Sequence, residues 1–114
     1  MATISKDGSL TFVRGDDVVI PLTFKAAGMP VNLTGYTFSA QIRTKPNAYV
    51  VLSLSFDLTN AATGIVIASA SNALTKDIRV EEAFWDVQQI GPSGIVKTVI
   101  GPAAVTIIKD VTIL

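Results

Sequence analysis

The strongest constraint on this chain is a period of two. Apolar and polar residues alternate in short runs, and each run ends at glycine, proline or a cluster of small polar residues. Alternation at this period places every second side chain on one face, the pattern of a half-buried β-strand. From Asp17 to Lys25, Val18, Ile20, Leu22 and Phe24 lie on one face and Val19, Pro21, Thr23 and Lys25 on the other. Tyr36 to Thr44 repeats the pattern, with Tyr36, Phe38, Ala40 and Ile42 inward and Thr37, Ser39, Gln41 and Arg43 outward. Pro21 has no amide hydrogen for a ladder, so its strand is expected at a sheet edge or in a bulge.

The remaining runs extend this reading. Ser9 to Arg14 makes a first strand, closed by a turn at Gly15-Asp16. Tyr49 to Phe56 directs Val50, Leu52, Leu54 and Phe56 inward and Val51, Ser53 and Ser55 outward. In Gly64 to Ala70, Ile65 and Ile67 share one face and Val66 and Ala68 the other. Ser71 to Val80 is the helix candidate, with Ala73, Leu74 and Ile78 against the core; it is too short to be stable alone. Phe84 to Leu114 reads as a strand, a Gly-Pro-Ser-Gly turn, a second strand, a Gly-Pro break at Gly101-Pro102 and a third strand. Trp85 carries the largest apolar area of any side chain type and is expected inside with Val87, opposite Asp86 and Gln88. On the last strand Val105, Ile107, Val111 and Ile113 share the core face, while Ile108 and Leu114 put apolar groups on the other. Turn signals about every 8–12 residues predict an all-β fold, an immunoglobulin-like antiparallel β-sandwich of about seven or eight short strands, with a small barrel as the alternative. The 114 residues suffice for one such domain, spanning 1–114.

Composition removes several function classes. There is no cysteine and no histidine. Disulfides, thiolate metal sites and the commonest general base are thereby excluded. Nine basic and nine acidic residues give zero formal net charge, with both signs scattered. No basic face for nucleic acid is apparent, and no polybasic patch for an anionic membrane. The opening residues, MATISKDGSL, contain no apolar signal-peptide core, and no apolar run reaches the roughly 18 residues of a membrane helix. The expectation is a chain made in the cytoplasm that then joins something larger.

Candidate motifs resolve mostly into turn chemistry. Arg14-Gly15-Asp16 matches an integrin-type tripeptide, and reads as a strand end, a glycine turn and an acidic residue opening the next strand. Asn32-Leu33-Thr34 matches a glycosylation sequon and reads as a turn. Asp16-Asp17 and Glu81-Glu82 are adjacent pairs, whose side chains point to opposite faces of a strand and make poor chelates or acid–base pairs. No nucleophile with an attendant base, phosphate loop or zinc spacing is present. Catalytic residues, metal ligands and cofactors are therefore all expected to be none.

One pattern points to a partner. Charged residues make up 16% of the chain, against about 25% in typical domains. From Pro46 to Thr75 the only charge is Asp57. Sheets open to water on one side normally carry polar residues there. The outward face of these strands is expected to present Val51, Ser53, Ser55, Val66 and Ala68, with Ile108, Ile113 and Leu114 of the last strand as a second candidate. Two explanations remain open: an interface with another protein, or a face covered by the chain's own loops such as Asp57 to Thr63.

Four segments together carry a family resemblance. They are Phe12 to Phe24 (FVRGDDVVIPLTF), Val31 to Arg43 (VNLTGYTFSAQIR), Gly64 to Ile78 and Trp85 to Thr112. In the last, Asp86, Gly94, Thr98, Gly101 and the Asp110-Val111-Thr112 ending match the recurrent wording. In order and spacing the chain resembles the N-terminal domain of phage baseplate upper proteins and related small phage tail proteins. The resemblance implies an immunoglobulin-like sandwich that attaches receptor-binding or fibre proteins to a virion. Longer members continue into a linker helix and a receptor-binding domain, which are not seen here, so an adaptor, baseplate or decoration role is expected over direct host binding. The function expected is that of a non-enzymatic virion structural protein of the tail, baseplate or fibre adaptor, localised to the virion. Its partners would be other virion proteins and further copies of itself in a symmetric assembly, with neither nucleic acid nor membrane. The alternatives are a capsid decoration protein and a carbohydrate-binding module for host glycans; for the latter, only Tyr49 and Phe84 look free among the aromatic residues.

Overall fold

The computed structural model describes residues 2–5, 7–45 and 49–109. These form an all-β structure of strands β1 (Thr3–Ile4), β2 (Leu10–Val13), β3 (Val18–Thr23), β4 (Lys25–Ala26), β5 (Met29–Pro30), β6 (Thr37–Arg43), β7 (Val50–Asp57), β8 (Ile65–Ala70), β9 (Glu82–Ile90) and β10 (Val96–Ile108). One helical turn, α1 (Asn72–Thr75), and a 3-10 turn at Ala61–Thr63 complete them.

Eight strands form one hydrogen-bonded series, β1-β2-β10-β9-β6-β7-β8-β3, and β4 and β5 make a separate small hairpin. β2 and β3 stand six places apart in the series, yet only residues 14–17 join them. Six spacings of ~4.8 Å would separate them by about 29 Å in a flat sheet. Five Cα steps reach only about 18 Å at full stretch. The series therefore has to fold over on itself. It does so along β7: Val50–Leu54 pairs with β6, whereas Ser55–Asp57 pairs with β8. A strand that changes partner partway along is one way to turn the corner between two sheets. The result is sandwich-like, with β8 and β3 folded over the larger layer.

Between the layers lies one core. Leu10, Phe12, Ala40, Ile42, Trp85, Val87, Val105 and Ile107 come from the larger layer, and Val18, Ile20, Leu22, Val66 and Ala68 from β3 and β8. Phe24, Phe38 and Phe56 line up beside it with ring centroids 5.5 Å and 5.6 Å apart. Trp85 is buried as expected, and its indole Nε1 donates to the Gly8 carbonyl at 2.7 Å. Pro21 lies on β3, the edge strand its missing donor predicts.

Four features differ from the sequence reading. The Gly101-Pro102 break does not end a strand, because β10 runs through it to pair with β9 on both sides, with register shifts at Thr98/Ile100 and Ile100/Ala103. Gly101 permits this: its φ is +87°, and a Cβ there would lie 2.4 Å from the Trp85 carbonyl oxygen. β2 and β10 pair in parallel, so the series is not wholly antiparallel. The helix is a single turn, and Thr75 is buried where Leu74 was expected; Leu74 is exposed. The Thr75 hydroxyl accepts from the Gly15 N–H at 3.2 Å and donates to the Asp16 carbonyl at 2.7 Å, two bonds that leucine cannot make. Finally, the faces of β8 are reversed: Val66, Ala68 and Ala70 point into the core, and Ile65, Ile67 and Ser69 point out, half-buried.

Candidate interaction surface

The reversal of β8 moves the candidate surface. In the register of β3 and β8, Val18, Ile20 and Leu22 sit opposite Ala70, Ala68 and Val66, all of them core residues. Opposite residues share a face. The outer face is therefore Val19 beside Ser69, Pro21 beside Ile67, and Thr23 beside Ile65. Across the other ladder, Ser55 stands beside Ser69 and Asp57 beside Ile67. Three strands thus present Val19, Pro21, Ile65 and Ile67 as an apolar centre, with Thr23, Ser55 and Ser69 around it. Val19 is 55% exposed.

The residues named from the sequence are not brought together. Ser53 and Ser55 are exposed on the outer face of β7, as read. Val51 is half-buried and packs against the core, because the register slips there: Ile42 pairs with Leu52 but Arg43 pairs with Val50. An inserted residue of this kind is a bulge, and it leaves Val50 exposed. Val66 and Ala68 have no exposed surface and are core residues, a correction to the expected outer face. Ile108 is exposed, but on β10, in the opposite layer. Ile113 and Leu114 lie outside the described residues.

Asp57 is the one charged residue among those paired across this face, and Lys25 lies beyond Thr23 at its end. Asp57 Oδ1 accepts from the Thr59 hydroxyl at 2.6 Å and from the Thr59 N–H at 2.9 Å. Those bonds favour the ionised form and hold its carboxyl below the usual aspartate range. Asp7 is lowered in the same way, by the Ser9 N–H first.

The open edge of β3 is blunted. Phe24 N–H donates to the Gly64 carbonyl, so the even-numbered residues of β3 bond inward to β8. In an antiparallel ladder the alternate residues, Val19, Pro21 and Thr23, then direct their backbone groups outward. The middle one has no N–H, which spoils the edge as a template for an added strand.

The opposite layer carries a smaller row. Val50 pairs with Arg43, Arg43 with Phe84, and Phe84 with Ala104. Phe84 is 41% exposed and Tyr49, just before β7, 86% exposed. Arg43 Nη2 donates to Gln41 Oε1 at 2.6 Å.

The Arg14-Gly15-Asp16 tripeptide is tied into the fold. Besides the two bonds to Thr75, Arg14 Nη1 donates to the Ile78 carbonyl at 3.4 Å. Asp17 Oδ1 accepts from the Asn72 N–H at 2.6 Å, at the start of α1. Glu81 pairs with Lys109 at 2.9 Å on the surface. Among the described residues, no group of three or more carboxylates is placed to hold a metal ion. No described helix is long and apolar enough to cross a membrane. No protein-family model matches the chain, and no curated protein matches it.

Val19 and Pro21 were legible as outward residues from the alternation of their own strand. Ile65 and Ile67 were not, since both faces of β8 are apolar or small and only Ser69, near its end, is polar on the outer one.

Proposed function

We propose that this protein is a non-enzymatic structural subunit of a bacteriophage virion, in the tail, baseplate or fibre adaptor, acting by protein–protein contact. The observation that carries the contact reading is the apolar outer face of β3, β8 and β7, where Val19, Pro21, Ile65 and Ile67 lie together and Asp57 is the one charged residue among those paired across it. Keeping such a face uncharged suits a subunit that must be packed against neighbours, since a charge there would have to be desolvated. The phage assignment rests on the resemblance carried by Phe12–Phe24, Val31–Arg43, Gly64–Ile78 and Trp85–Thr112. An immunoglobulin-like arrangement is supported by strand order: β6-β9-β10 follows the C-F-G sheet of that fold, and β3-β8 its B-E pair. Homo-oligomerisation and a location in the virion belong to the same proposal.

The test is protein mass spectrometry of phage particles released from cells that carry the gene. The expected result is the chain in fixed proportion to the other virion proteins after extensive washing. Its absence from purified particles would overturn the assignment.

The exposed rings of Tyr49 and Phe84 favour a second reading, a carbohydrate-binding module. Aromatic faces stack on the apolar faces of sugars, and Arg43 stands beside Phe84 and Gln41 beside Asp86, polar groups on the same face. A glycan array with the full chain and its Phe84→Ala variant separates the two: ligand-specific binding lost in the variant supports this reading, and no binding leaves the virion subunit alone.

A further inference from the structure

The outer face of β3, β8 and β7 has the chemistry of a surface that meets itself. We infer that two copies of this chain associate through it across a two-fold axis, with Val19, Pro21 and Ile67 at the centre. This names the partner within the contact-protein reading above and rests on it.

In a two-fold contact the same patch supplies both sides, so a charge near the axis is opposed by its own sign and one away from it needs a partner on the same patch. This patch meets that condition. Its middle rows are Val19-Ser69-Ser55 and Pro21-Ile67-Asp57, and the lone carboxylate, Asp57, already has its own hydrogen bonds from Thr59. Whole-molecule repulsion is missing too, because the formal net charge is zero. A strongly charged partner would find no counter-charge here. Pro21 also selects the mode of contact. Edge-to-edge pairing of two β3 strands would place Pro21, without a donor, in the middle of the new ladder, so the copies meet face to face.

Area sets the strength. Three strands at ~4.8 Å and six residues at ~3.4 Å give a face of about 14 × 20 Å. That is about a third of the ~800 Å² buried by each partner in a standard interface. A contact of this size is weak alone and becomes effective when an assembly holds many copies in place.

Sedimentation velocity of the full chain over a micromolar to millimolar series tests this. The expected result is reversible dimerisation, weakened about tenfold or more by Val19→Lys, which opposes two buried cations across the axis. Val19 is already exposed, so the melting temperature should not move. A mixture of Val19→Lys and Val19→Glu should recover the dimer as a heterodimer. Ile108→Lys, on the opposite layer, should leave association unchanged. If wild type dimerises and Val19→Lys does not weaken it, this face is the wrong one and the contact-protein reading stands. If wild type stays monomeric at millimolar concentration but is recovered in washed particles, the partner is a different virion protein. Monomeric behaviour together with absence from particles overturns both.

Discussion

Strands β8 and β9 border the same core, yet they specify their faces by different means. In β9 the inward residues Ala83, Trp85 and Val87 alternate with Glu82, Phe84, Asp86 and Gln88, and apart from Phe84 the outer side is marked by polar residues. In β8 the inward residues Val66, Ala68 and Ala70 alternate with Ile65, Ile67 and Ser69, so bulky aliphatic groups lie on the outside and small ones inside. Hydrophobicity alone orients the first strand and misorients the second. What orients β8 is its neighbour. The small side chains of Ala68 and Ala70 make room for Ile20 and Val18 opposite, where larger ones would overfill the space between layers. Where a strand is apolar on both faces, volume complementarity across the ladder chooses the inner side, and the apolar face left over is a candidate surface for partners.

The sharpest way to break this comparison is a carboxylate on each side of the β3–β8 ladder. Ala68→Asp puts a charge at a position with no exposed surface. Burial of this kind shifts a carboxyl by as much as 3–5 pKa units, which at neutral pH costs up to about 4 kcal/mol, the point at which the group becomes neutral instead. The expected outcome is a chain unfolded at room temperature by circular dichroism. Val19→Asp, on the same ladder but facing out, should melt like the wild type. Similar melts for both would show that β8 presents its small residues outward after all.

Trp85→Ala probes the layer whose faces were legible. It empties the largest buried side chain and leaves the Gly8 carbonyl without its indole donor. The expected cost is about 3–5 kcal/mol in urea unfolding. Trp85→Phe should cost less, because it keeps most of the ring volume and loses chiefly the hydrogen bond. Equal losses in the two variants would mean that the bond to Gly8, and not the packing of the ring, dominates this site.

Much of the architecture was readable from alternation and turn residues. The faces of β3 and β6, the edge position of Pro21 and the burial of Trp85 all followed from local pattern. The rest depends on contacts between distant segments. The parallel pairing of β2 with β10 joins Leu10 to Val105, and nothing local to either strand records it. The continuity of β10 through Gly101-Pro102 depends on β9, whose Trp85 carbonyl leaves room only for glycine. Thr75 was overlooked because threonine ranks below leucine as a core residue, and its burial makes sense only beside the Gly15 N–H and the Asp16 carbonyl that its hydroxyl bonds. The candidate surface suffered most, since it was defined by exclusion of charge, and β8 excludes charge from both its faces.

The smallest expected effect concerns the one charge paired across that surface. Asp57 is ionised at neutral pH and accepts two hydrogen bonds from Thr59, which lower its pKa in the folded chain. A lowered folded-state pKa means that the ionised form contributes stability above the unfolded-state value, and that this contribution fades as pH falls through the folded one. The window therefore lies below pH ~4. Asp7, lowered chiefly by the Ser9 N–H, titrates in the same window. The expected result is a modest fall in melting temperature on acidification below that pH, reduced but not abolished in Asp57→Asn. The dimer separates this local charge from the global one. Acid neutralises the other carboxylates as well and leaves nine basic residues uncompensated, so association at that pH should weaken through whole-molecule repulsion. Asp57→Asn at neutral pH instead removes only the charge paired into the β3–β8–β7 face, and should tighten the dimer slightly. A dimer weakened by Asp57→Asn at neutral pH would place the contact elsewhere, and would separate the β8 surface from the function assigned to it.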